Sequence, residues 1–101
     1  MPPSEQGEAK ASLELALDEL ENATGHSDPA FKALAHYEKS KTYYQLSRLF
    51  PEDATAWSKC AREEADRALD LSTDKKYQTW RIHLQSFSPT MERSRGTNGI
   101  L

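Results

Sequence analysis

One cysteine, Cys60, stands in the whole chain. No disulfide can close within the chain, so packing alone must hold the fold, and a reducing compartment is the default. Apolar runs are short. None approaches the roughly 20 residues of a membrane-spanning helix. The start, Met1-Pro2-Pro3-Ser4-Glu5, has neither the basic region nor the apolar run of a signal peptide. Both features predict a cytoplasmic protein that does not enter a membrane. The alternation of apolar and polar residues that marks a half-buried strand is missing everywhere. Large side chains are scarce: 37% of residues are hydrophobic and 9% aromatic, against 29% charged. With 101 residues the chain has room for one modest core, and alanine must supply the close contacts between helices.

The net charge of −3 hides a gradient. Residues 1–23 carry six acids and one base, whereas residues 74–101 carry five bases and two acids. Either the two ends attract each other or are simply solvated, or the basic end is a surface for an acidic partner. An acidic chain speaks against general nucleic-acid binding.

Four segments have helical periodicity with end signals, which predicts an all-α fold, a compact antiparallel bundle of about four helices. The first runs from about Glu8 to Ala23, with Leu13, Ala16, Leu17 and Leu20 on one face and Leu15 off it. Thr24-Gly25 supplies the stop, because glycine tolerates the left-handed conformation after a helix end. The second starts at Asp28-Pro29, a side-chain acceptor followed by a residue whose missing N–H is not needed there. It ends before Pro51. Its apolar residues fall in two sectors. Ala30, Ala33, Leu34, Tyr37 and Tyr44 share one; Phe31, Ala35, Tyr43, Leu46, Leu49 and Phe50 share the other. Two sectors predict a central helix packed from two sides.

The third helix begins near Asp53 or Ala54 and reaches Leu71, with Trp57, Cys60, Ala61, Ala65, Ala68 and Leu71 on its apolar face. Thr73 or Asp74 caps a fourth, from about Lys75 to Phe87, whose stripe is Tyr77, Trp80, Leu84 and Phe87. Ile82 points away from that stripe. Residues 1–7 and 89–101 lack periodicity and are expected to be disordered, which leaves residues 8–88 as the helical domain.

The stretch from Tyr43-Tyr44-Gln45-Leu46 through Pro51 to Trp57 resembles the junction between two tetratricopeptide repeats, with Ala61 where that family usually has glycine. Glu64 departs from it, standing where an aromatic is expected, and about four extra residues precede Pro89. Ala33-Leu34, Tyr37, Tyr43, Tyr44, Lys59-Cys60, Arg67-Ala68 and Leu71 are also similar to a microtubule-interacting and transport (MIT) domain, a three-helix bundle. That family has no fourth helix and a longer link between its second and third. Both resemblances imply a domain that holds a helix or short peptide in a groove between its own helices.

His26, His36, Cys60 and His83 do not fall at zinc-ligand spacing, so neither metal nor cofactor is expected. Cys60 reads as a small buried hydrophobe. There is no phosphate loop, no nucleophile elbow and no paired acid and base, so no enzyme is predicted. Glu64 falls in the middle of the apolar face of the third helix. It is either a polar contact in a groove or an acid–base group, or the face is narrower and Glu64 sits at its edge. The rarity of interior glutamate favours the edge.

The leading expectation is therefore a protein–protein interaction module for a peptide, a helix or a second copy of itself. Its candidate partner-binding residues are Trp57, Glu64, Tyr77, Trp80, Arg81 and Ile82. A small ligand-binding protein or enzyme built around Glu64, and an adaptor using the basic C-terminal surface, are the alternatives.

Overall fold

A computed structural model describes residues 3–86, with side-chain surroundings from residue 5 onward. Among these residues the fold is all-α. It consists of α1 (Pro3–Ala23), α2 (Pro29–Leu49), α3 (Ala54–Leu71) and α4 (Lys75–Ser86), with one 3₁₀ turn at Pro51–Asp53. Each helix packs on the next. Among the described residues no helix is long and apolar enough to cross a membrane.

The ends are set by local chemistry. Asp28 Oδ1 accepts from the Ala30 amide at 3.0 Å, with Pro29 following it in the first turn. Asp74 Oδ1 accepts from the Lys76 amide at 2.9 Å and so caps α4. Pro51 stops α2 and opens the 3₁₀ turn. Two expected ends differ. The first helix begins at Pro3, not near Glu8, so residues 3–7 are helical where disorder was expected. Gly25 does not use a left-handed conformation. The α1 terminus is closed by a tightened turn, in which Thr24 Oγ1 donates to the Glu21 carbonyl at 2.6 Å and the amides of Gly25 and His26 bond to Asn22 and Ala23. Residues 89–101, expected to be disordered, and Phe87 lie outside the described residues.

The centre of the molecule is the α2–α3 pair, and it is built from small side chains. Ala33, Ser40 and Ser47 of α2 are buried at intervals of seven, and so are Ala54, Ala61 and Ala68 of α3. A strict seven-residue repeat keeps one seam facing a partner helix. Small residues along it let the backbones approach closely, which Ser40 shows directly by donating from Oγ to the Ala61 carbonyl at 2.6 Å. The same hydroxyl accepts from Trp80 Nε1 at 2.7 Å, so one fully buried serine ties α2, α3 and α4 together.

Aromatic rings close the far side. Tyr37 lies against Tyr77, and Tyr44 meets Trp80 edge-on at a ring separation of 5.3 Å. Ala33 with Ala68 and Tyr77, and Ala61 with Ala65 and Leu84, form the two apolar clusters beneath these rings.

The two-sided packing of α2 holds in part. Leu46 and Ala35 are buried and Tyr37 and Tyr44 are packed, but Phe31, Leu34 and Leu49 remain exposed. The physical reason is α1. Its inward face is Leu13, Leu17 and Leu20 interleaved with Ala9 and Ala16, none of residues 5–23 is buried, and it covers only part of its side of α2.

Candidate functional site: a half-open cleft beside a buried ion cluster

Glu64 sits on the face that α3 turns toward α2 and is buried, with 4% of its surface exposed. The expectation that it lies at the edge of a narrower face is thus overturned. What the face lacks in apolar character is compensated by bases from α2 and from one turn along α3. His36 Nδ1 lies 2.6 Å from Glu64 Oε1, Arg67 Nη1 donates to Oε2 at 2.5 Å, and Lys39 Nζ lies 3.3 Å from Oε2. Lys39 also donates to Glu21, which reaches across from α1.

A buried carboxylate with this many donors is satisfied in the way interior charges must be. Burial of Lys39 would by itself lower its pKa. The hydrogen bond to Glu21 and the charges of Glu64 and Glu21 outweigh that and hold it above its ordinary value. Glu21 is held below its ordinary value by the hydrogen bond from Lys39 and by its charge. Burial raises the Cys60 thiol and the Tyr43 phenol, which keeps both protonated near neutrality. Among the described residues no group of three or more His, Cys, Asp or Glu side chains is placed to hold a metal ion.

An open cleft runs between α1 and α2. At one end Leu20 and Ala23 of α1 face Phe31, Leu34, Ala35 and Glu38 of α2 around a hollow of ≈ 110 Å³. At the other end Ala9, Ser12 and Leu13 face Gln45, Arg48 and Leu49 around a hollow of ≈ 520 Å³. The α2 linings at positions 31, 34, 38, 45 and 49 recur at helical spacing, so both hollows lie along one face of α2. Phe31, Leu34 and Leu49, three of the five large apolar side chains that stay exposed among the described residues, lie along it. A further hollow of ≈ 430 Å³ lies between α2 and α4, lined by Tyr37, Lys76, Thr79, Trp80 and His83.

The six residues singled out by sequence do not share one surface. Tyr77 is buried in the core. Glu64 is buried in the ion cluster. Trp57 is half-buried and stacked on Tyr43, with its Nε1 unpaired. Trp80 lines the α2–α4 hollow while its N–H is held by Ser40. Arg81 Nε donates to Asp66 at 2.6 Å, and Ile82 stands alone at 62% exposure. The cleft residues Phe31, Leu34 and Leu49 were missed, because their periodicity is that of a core face. The signal for exposure lay in α1, where small residues stand opposite them.

No family model, curated protein or solved structure matches the chain.

Proposed function

We propose that the domain is a non-enzymatic interaction module that seats a helix or extended peptide in the α1–α2 cleft. One observation carries this: Phe31, Leu34 and Leu49 are aligned along an open cleft, at 44%, 39% and 36% exposure, in a chain with few large apolar residues to spare. Aligned exposed apolar side chains mark contact surfaces more often than scattered ones do. A helix laid in such a groove buries anchors at helical spacing. The resemblance to tetratricopeptide and MIT hairpins supports the same role. The ion cluster fits it too, since Glu64 is engaged by three bases and has no oxygen left for acid–base chemistry.

The test is a displayed library of helical peptides selected against the full chain. Binders are expected to be lost with Leu34→Glu combined with Leu49→Glu and retained with Ile82→Glu. The converse pattern would move the site to α4.

A further inference from the structure

We propose that the occupant of the α1–α2 cleft is a basic amphipathic helix about five turns long, with Lys or Arg on the flank that lies along α1. This rests on the reading of the cleft as a binding site. Two features of its walls specify the occupant.

The first is charge. Glu5, Glu8 and Glu19 each stand one turn before a cleft-lining residue of α1, namely Ala9, Ser12 and Ala23. Residues four apart share a helix face, so these three carboxylates border the cleft along the length of α1. All three are exposed, and none pairs with a base among the described residues. Lys10 of α1 is turned elsewhere, lying over the Phe50 ring at 5.7 Å. The opposite wall is mixed. Glu38 pairs with Lys41 at 3.8 Å, Lys41 lies over Tyr37, and Arg48 lies against Tyr44. Arg48 has no carboxylate partner among the described residues, so one base on α2 stands against three unpaired carboxylates on α1, and the net unanswered charge of the cleft is negative.

The second is length. The apolar footholds are at the two ends, around Leu34 and around Leu49, with Glu38 and Gln45 between them. Fifteen residues at 1.5 Å each place the footholds about 22 Å apart. A helix that engages both needs about 18 residues, with apolar anchors four turns apart and a polar middle on the same face.

The experiment uses three designed, fluorescently labelled helical peptides of matched helix content, titrated against the full chain by anisotropy at low salt. One has 18 residues with the anchors four turns apart and lysine on both flanks. The second is the same with glutamate flanks, and the third is the lysine peptide cut to 11 residues. The long lysine peptide is expected to bind roughly tenfold more tightly than the glutamate peptide, from a few exposed pairs of modest strength each, and more tightly than the short one. Glu8→Lys with Glu19→Lys is expected to reverse the order of the two long peptides, with an unchanged circular dichroism spectrum.

Equal or tighter binding of the glutamate peptide, or an order untouched by the reversal, would overturn the basic occupant. It would leave the cleft reading standing as long as Leu34→Glu with Leu49→Glu still abolishes binding. A short peptide that binds as well as the long one would overturn the two-foothold geometry. If no peptide binds, or binding ignores the Leu34 and Leu49 substitutions, the cleft reading fails along with the proposal.

Discussion

α2 packs along its length against α3 on one side and α1 on another, and these two seams are built on different principles. Against α3 it offers alanine and serine every seventh residue, and the helices come close enough for a side-chain hydroxyl to reach the opposite backbone. Against α1 it meets leucines that are only half covered, one ion pair from Lys39 to Glu21, and a cation over the Phe50 ring. The first seam holds few large side chains and is closed; the second holds more and is open. Closeness in a helix pair thus follows from the size and register of the residues at the contact, not from how hydrophobic they are. The closed seam, with α4 laid over it, is where the stability resides. The open one leaves room for something else.

Substitutions on the two sides of α2 put this contrast to the test. Leu46 is fully buried beside the closed seam, and Leu46→Ala should lower the unfolding free energy by about 2–5 kcal/mol. The half-covered Leu17 of α1 should cost only about 1 kcal/mol when changed to alanine. Urea denaturation of both variants checks the ratio, and equal costs would erase the distinction between the seams.

Ser40→Ala should cost about 1–2 kcal/mol, because Trp80 Nε1 loses its acceptor in a half-buried site. A change in tryptophan emission should accompany the loss, and a silent substitution would mean that the serine does not join the three helices.

The smallest effect concerns pH. Glu21 is held below its ordinary value, so its contribution is complete above about pH 4.3 and is lost as pH falls through the lowered value. The contribution is small because the side chain is 67% exposed and screened by solvent. On acidification the amides of α1 should lose hydrogen-exchange protection, corrected for intrinsic rates, before those of α2 to α4. Simultaneous loss in all four helices would show that α1 is as firmly seated as the rest. Lys39 works in the opposite sense. Its raised pKa gives a contribution present below about pH 10.4 and lost only as pH rises through the higher folded value.

Much of the fold was legible in the sequence because local chemistry decides it. Asp28-Pro29, Pro51 and Asp74 mark helix boundaries through hydrogen bonds made within a few residues. The start of α1 was not, since residues 3–7 have no apolar periodicity and their helicity continues a turn that begins further on. Glu64 was legible as an anomaly but not in its resolution. Two of the three bases that engage it, His36 and Lys39, come from α2, 28 positions away in the case of His36, and no pattern along α3 announces them. The cleft was hidden for a related reason. An apolar stripe such as Phe31, Leu34 and Leu49 looks the same whether a neighbouring helix reaches it or stops short. The seven-residue spacing of the α2–α3 seam was there to be read, but alanine and serine give little hydrophobic contrast.

That seam also governs which substitutions the chain can survive. Ala33, Ser40, Ser47, Ala54, Ala61 and Ala68 are all buried along the contact, so a larger side chain there is expected to push the two backbones apart. In a saturation scan scored by folded yield, these six inconspicuous positions should accept little beyond alanine, serine and glycine. The conspicuous leucine, phenylalanine and isoleucine at positions 15, 31 and 82 should accept almost anything. Variation limited by folding alone would then erase these exposed apolar residues before the small buried ones.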